Sequence, residues 1–397
     1  MRVCQNHEHS RGQTPPGQAR RIRLNAGMIQ TVRLSGYRSL RDLRLRLGRV
    51  TLLRGENGVG KTNVYRGLRL ISSLARGEFA QAVAAEGGMR SLLWTGNKEH
   101  ARMTTFSAEV TTDDFEIGFE CGLMPATPGD TTAFKLDPDI KHEELRACGR
   151  VLARRKNAVV RMAGAKGVMA VVGESLGSSE SMLTLVRDLQ NYPKVLEARL
   201  CLERWRFYHS MRTDAEAPAR KPVRGYWSPV LAEDASNLPS VLQTIEETVH
   251  AHDLHEAVEM AFPGSRLRIR AKDWFHLEWQ AHSLPRPLAG HEISDGTLQF
   301  ICLAAVLCSP RPPPLLVLNE PETSLNESVY PALASLVARA ARESQIIIVS
   351  HSKGLCDAIA EACQIKSQEL VMRLGDTRLR GQEHAKTCIV FDDAEDE

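Results

Sequence analysis

From residue 29 the chain alternates apolar and polar positions, IQTVRL and then LRLRL, in stretches too short for a helix. A period of two predicts strands at 29–34 and 43–47. VTLLR follows with little alternation, which predicts a buried strand at 50–54. A glycine-rich loop then gives way to a helical pattern over 61–76. The middle, 96–289, is mixed. TFSAEVTTDDFEIGFECGL reads as an antiparallel pair, and RVLARRKNAVVRMAGAKGVMAVVGES as short strands between turns. Helical patterns cover 181–190, 194–204 and 238–261, and RLRIR and WFHLEW read as strands. Strand and helix alternate again in the last hundred residues: helix 296–307, the run PRPPPLLVLNE, helix 328–342, strand 346–349, helix 354–364 and strand 370–374. That order predicts an α/β fold whose sheet is largely parallel and covered on both faces.

Composition narrows the class. The 397 residues are 43% hydrophobic and 25% charged, as in soluble globular proteins. No apolar run approaches the ~20 residues that span a bilayer. The opening MRVCQNHEHSRGQ lacks the apolar stretch of a secretory signal. Nine cysteines without a CxxC pair predict reduced thiols and a cytoplasmic location, and argue against a cysteine metal site. Net charge is only +3, yet residues 1–76 carry fifteen Arg and one Lys against Glu8, Asp42 and Glu56. Their balance of +13 leaves −10 for the rest, including the tail FDDAEDE. A basic end of this kind suits polyphosphate, nucleic acid or an acidic partner, and equally a solvated surface. Residues 1–27, polar and basic, are expected to be a disordered tail, with MIQTVRL at Met28 reading like a natural start. The expected domains are 28–95, an inserted α+β subdomain at 96–289, 290–385, and an acidic tail at 386–397.

GENGVGKT carries the strongest chemical signal. It matches G-x-x-x-x-G-K-[ST] at Gly55, Gly60, Lys61 and Thr62, and it lies between a predicted strand and a predicted helix. Glycines such as Gly58 let backbone N–H groups turn inward around phosphates, and the helix start adds a positive dipole end. Lys61 would reach the β- and γ-phosphates, and Thr62 would ligate Mg²⁺. Asn57 and Asn63 belong to the same cradle. LLVLNEPE supplies a second element: an acid at such a strand tip holds the metal through water, and the next Glu polarises the attacking water. Glu320 has the second position; Asn319 has the first and brings an amide. ISDGT opens an apolar helix upstream, and SHS ends a strand downstream.

This order of cradle, Ser-x-Gly helix, Glu strand, TSLN turn and histidine resembles the ATP-binding cassette (ABC) ATPases. It is more narrowly similar to the SMC/RecF/OLD-like branch and to bacterial RecF-like ATPases of the AAA family. The specific motifs cover 29–76 and 290–375. The resemblance implies a P-loop NTPase head: a mixed, mainly parallel central sheet, an N-terminal antiparallel portion and an inserted α+β subdomain. It implies ATP and Mg²⁺ as cofactors, and an ATP-dependent homodimer in which Ser294 and Gly296 touch the γ-phosphate held by the second copy. Glu320 would be the general base, His351 a γ-phosphate sensor and Arg38 a basic residue near the nucleotide. Residues 324–326 would lie on the dimer seam, and Gln81 is a candidate metal-contacting glutamine. Asn319 would hold a metal-bound water without adding charge, so the expected ATPase is slow.

The processes implied are DNA repair or recombination, with DNA as partner, or an anti-phage or toxin system with a nuclease or toxin partner. A nucleotide-gated scaffold is a third reading. A transporter ATPase fits least, because Asp295 replaces the usual Gly. Three further signals stay open. HAHDLH (His250, His252, His255) reads as a polar helix face before a metal site. WRFYHSMR is either a core strand or a single-strand clamp, and ARRKNAVVR is a candidate DNA-facing hairpin.

Overall fold

The computed structural model describes residues 27–94, 96, 103–125, 131–164 and 167–382. The tails expected at 1–27 and 386–397 lie outside these residues, apart from Gly27. The chain opens with β1 (Ile29–Tyr37), β2 (Leu40–Arg46) and β3 (Val50–Arg54). Helices α1 (Lys61–Arg76), α2 (Phe79–Ala85) and α3 (Met89–Leu92) follow, and Gly77 at φ +74° terminates α1. Next come β4 (Thr105–Thr112), β5 (Glu116–Leu123), β6 (Pro138–Ala147), β7 (Arg150–Lys156), β8 (Val159–Ala163) and β9 (Met169–Gly173). Helix α4 (Pro193–Glu203) leads into β10 (Arg206–His209). A smaller unit holds β11 (Val223–Arg224), α5 (Leu238–Glu246), α6 (Ala251–Ala261), β12 (Arg266–Ala271), β13 (Trp274–Gln280) and β14 (Leu288–Ala289). The chain closes with α7 (Asp295–Leu307), β15 (Leu315–Asn319), α8 (Tyr330–Ala340), β16 (Gln345–Ser350), α9 (Lys353–Cys363), β17 (Gln368–Arg373) and β18 (Asp376–Leu379).

The central sheet runs β10-β15-β16-β3-β17-β18, parallel from β10 to β17 with β18 antiparallel at the edge. It divides the hydrophobic interior in two. Leu53, Val317, Ile347 and Val349 face α1, α4 and an eight-stranded antiparallel sheet. Their neighbours Leu52, Leu318, Ile346 and Ile348 face the layer built from α5 to α9. Both faces are therefore apolar, which is why these strands read as continuous runs. Each such side chain contributes roughly 1.5–3 kcal/mol by leaving water.

The segment 96–289 lends strands to both large sheets. Its β4 pairs with β1, extending the first hairpin into the sheet β2-β1-β4-β5-β6-β7-β8-β9, and its β10 enters the central sheet beside β15. The pattern 181–190 yields only a 3₁₀ turn at Met182–Leu185, since Asp188 accepts the N–H groups of Gln190 and Asn191 and favours a turn. The pattern 238–261 is two helices. Between them Thr248 donates its hydroxyl to Ile245 O and accepts from His250 N, competing with the helical ladder. In the basic hairpin, Arg155 is buried against Glu143 and loop carbonyls, and Arg154 pairs with Glu144. Two of its arginines thus serve the fold. WRFYHSMR is the core-strand alternative, with Trp205, Phe207 and Tyr208 buried.

Candidate functional site

The parallel strands β3, β15 and β16 end on the same side, so the turns that follow them share one edge of the sheet. After β3 the chain turns through Gly58 at φ +82° and Gly60 at φ +91° before α1 begins at Lys61. Left-handed backbone suits glycine, and Gly60 is doubly constrained. A Cβ there would stand 2.0 Å from Thr377 Oγ1 and 2.6 Å from Ser39 Oγ. Those hydroxyls brace the loop. Asn63 donates its amide to Ser39 Oγ (2.8 Å), Ser39 and Thr377 hydroxyls are 2.6 Å apart, and Thr377 donates to Val59 O (2.8 Å). Asn63, expected among the nucleotide contacts, has its side-chain amide in this brace. No local signal marked Ser39 or Thr377, because they meet the loop only through tertiary folding.

Lys61 is buried and donates Nζ to the carbonyls of Gly55 and Glu56, each at 2.7 Å. Burial lowers its pKa, and the carboxylates of Glu320 and Glu322 act to raise it. Two acids therefore share its field. Glu320 follows β15 at φ +51°, donates its N–H to Val349 O (2.7 Å), and has its own carbonyl taken by Thr323. A non-glycine residue in this region is a constrained turn that aims the side chain off the strand tip.

Glu322 was missed by the sequence reading. It is buried, and its Oε1 accepts from Ser350 Oγ (2.7 Å), His351 N (2.9 Å) and Ser352 N (3.1 Å). The same oxygen lies 3.1 Å from His351 Nδ1. Glu322 thus fixes the turn that carries His351 and orients its ring. The signal was present in NEPE, whose second acid lies two residues past the first.

Asn319 is buried, and its Nδ2 donates to His209 Nδ1 at 2.5 Å. The pairing follows from register, since β10 places His209 opposite Asn319. Asn319 Oδ1 is buried without a hydrogen-bond partner among the described residues. An orphan acceptor at the β15 tip fits a metal-bound water, so the donor set suits Mg²⁺ held by Thr62 and, through water, Asn319.

Other expected contacts lie elsewhere. Arg38, at φ +47°, is held by the carboxylate of Glu86, which also draws Arg66 and the Tyr37 hydroxyl. In this structure its guanidinium is ion-paired with Glu86. Gln81 sits on α2 beside Arg66, Arg69 and Arg76, and His209 is the residue next to Asn319. Of the histidine trio, His252 faces Glu256 and His255 faces Glu246, and no group of three metal-ligating side chains occurs among the described residues.

Gly55, Asn57 and His351 line one open groove, and Ser294 and Gly296 are not part of it. Ser294 is exposed and caps α7, its Oγ accepting from Thr297 N at 3.2 Å. A Cβ on Gly296 would meet Ser324 O at 2.6 Å, so the start of α7 packs closely on the TSLN turn. Asp295 has a counterpart. Buried Arg220 binds its carboxylate at 2.6 Å and the carbonyls of Gly290, Ile293, Thr213 and Asp214. Arg220 thereby ties the α7 turn to the loop that leaves β10.

A phosphate loop bordered by an acid-tipped strand and an oriented histidine defines a P-loop nucleotide-binding head. Comparison with known proteins agrees. The family described as "AAA domain, putative AbiEii toxin, Type IV TA system" matches residues 177–357. An SMC head solved bound to the C-terminal winged-helix domain of ScpA covers 89% of this chain and 97% of its own, at 13% identity and TM-score 0.52. An SMC head with an extended coiled coil bound to the C-terminal domain of ScpA from Pyrococcus furiosus covers 89% and 95%, at 13% identity and TM-score 0.50. No curated protein matches. The fold is that of the SMC heads. No helix among the described residues is long and apolar enough to cross a membrane.

Proposed function

We propose that this protein binds MgATP in the 55–62 loop and hydrolyses it slowly, in a dimer closed by the nucleotide, to act on DNA in repair or recombination. The observation that carries the reading is the loop itself, where buried Lys61 donates to the carbonyls of Gly55 and Glu56 beside left-handed Gly58 and Gly60. In this reading Lys61 exchanges its loop carbonyls for phosphate oxygens, and backbone N–H groups at the start of α1 add to them. MgATP supplies the phosphoanhydride bond and the charge that the lysine and Thr62 balance. Glu320 accepts the proton of the attacking water. His351, oriented by Glu322, donates toward the terminal phosphate. Support for a two-copy site comes from Ser294, exposed at a helix N-terminus and outside the groove lined by Gly55, Asn57 and His351.

A second reading has a specific observation behind it. The matched family is described by a toxin–antitoxin system, which favours an ATPase that controls a toxin or nuclease partner. The test measures ATP turnover, with and without DNA, and molar mass by light scattering, with and without ATP. Wild type should double its mass with ATP and turn over faster with DNA, and Lys61→Ala should do neither. A monomer in saturating ATP would overturn the dimer reading. Turnover indifferent to DNA would favour the toxin reading.

A further inference from the structure

The small sheet has the order β11-β13-β12, with β14 also paired to β13, and only one of its faces is covered. Leu267, Leu277 and Trp279 point into the layer formed by α5 and α6 and are buried. The register sets the opposite face. Arg266 lies across from Gln280, Arg268 from Glu278, Arg270 from His276, and Arg224 from Trp274. All four arginines and Trp274 are exposed. Glu278 is the one carboxylate at these positions, and it meets Arg270 at 3.2 Å. The Arg224 guanidinium lies over the Trp274 ring at 5.3 Å. Just beyond Arg224, Tyr226 and Trp227 are 54% and 58% exposed, and Trp274 is 47% exposed.

Beyond the Arg270–Glu278 ion pair and the Arg224–Trp274 contact, this combination does little for the fold. Large aromatic rings left in water forgo burial, and arginines repeated on one strand face repel each other unless anions lie between them. We infer that the outer face of this sheet binds single-stranded DNA, with Arg266, Arg268 and Arg270 along the phosphates and the exposed rings stacking on bases. The rings choose the strandedness. A duplex hides its base faces, whereas a single strand offers a π-face at every base. Charge complementarity favours nucleic acid, since four guanidinium groups meet one carboxylate at the register positions, with Glu246 and Glu259 beside Arg266 and Arg268 at the β12 edge. The choice of DNA rests on the function proposed above; the surface itself does not.

The test uses the full chain and labelled oligo(dT), oligo(rU) and a blunt duplex of equal length, followed by fluorescence anisotropy across a salt series. Wild type should bind oligo(dT) more tightly than the other two. Replacing Arg266, Arg268 and Arg270 with Ala should weaken oligo(dT) binding at least ~10-fold and flatten the slope of log K against log salt by about 2. Trp274→Ala should weaken it roughly tenfold with the salt slope unchanged. Both variants should keep wild-type thermal unfolding and ATP affinity. Equal or tighter binding of the duplex or of oligo(rU), or a triple variant that binds oligo(dT) like wild type, would overturn the inference. If wild type binds ATP but no oligonucleotide, this inference fails and the nucleotide reading stands. If oligo(dT) binds through this face while ATP binds nowhere, the nucleotide reading fails and this one stands.

Discussion

The central sheet and the small sheet present function in opposite ways. In β15 and β16 every side chain is buried, so no face is available to a ligand and the strand tips are the exposed chemistry. Lys61, Glu320 and His351 all follow such tips, and their aim is set by backbone turns, most plainly by the left-handed Glu320. In β12 and β13 one face is covered and the other open, so alternation alone lifts Arg266, Arg268 and Arg270 to the surface. Tip chemistry demands backbone geometry. Face chemistry demands only register.

The largest expected effect breaks the tip side of this contrast. Glu320→Gln keeps the shape of the turn but removes the base, and should lower ATP turnover by ~10²–10⁴-fold while leaving ATP-dependent association intact. Single-turnover kinetics with light scattering would check both halves. A variant that turns over like wild type would remove Glu320 from the chemistry.

Next comes the core that holds the tips in place. Leu318→Ala deletes a fully buried side chain beside Asn319 and should cost about 2–5 kcal/mol of stability, read from urea unfolding. A much smaller loss would mean that the layer beneath β15 collapses easily into the gap.

These two regions were also legible to different degrees. VTLLR, LLVLN and IIIVS announced buried parallel strands, and GENGVGKT announced the loop between β3 and α1, because each signal is local. The nucleotide-loop brace was silent. Ser39 and Thr377 are ordinary residues until β18 folds against the loop. His209 was hidden for a related reason, since only the parallel pairing of β10 with β15 sets it against Asn319. Sheet edges are not written in sequence: nothing in TFSAEVTT says that its partner is β1. Arg38 was placed by resemblance; its ion pair with Glu86 is set by tertiary folding and had no local signal. RLRIR and WFHLEW read correctly as strands, but their outward residues formed a surface only once the register was known.

A smaller effect sharpens the reading of the odd residue at the β15 tip. Asn319→Asp restores a negative charge where the amide oxygen has no partner among the described residues. Charge-assisted hydrogen bonds are roughly twice as strong as neutral ones. The Mg²⁺ concentration needed for half-maximal ATP binding should therefore fall about tenfold, as ~1.4 kcal/mol implies. The contact with His209 survives, because a carboxylate accepts from Nδ1–H of the other tautomer. An unchanged Mg²⁺ dependence would make Asn319 a structural partner of His209 alone.

The smallest effect separates stability from recognition. Arg268 is exposed, and the residue across the strand is Glu278, which pairs with Arg270 instead. Arg268→Ala should therefore change unfolding free energy by no more than ~0.5 kcal/mol, an order of magnitude below the upper range for Leu318→Ala. Removing one guanidinium from the phosphate track should still flatten the salt dependence of oligo(dT) binding by about 0.7. A core position cannot give that pair of results, because its removal acts through folding before it acts on any ligand. Stability unmoved with the salt slope reduced would mark a residue kept for what it touches outside the protein. If instead Arg268→Ala unfolded the chain as readily as Leu318→Ala, the outer face of β12 would belong to the fold, and the contrast between the two sheets would disappear.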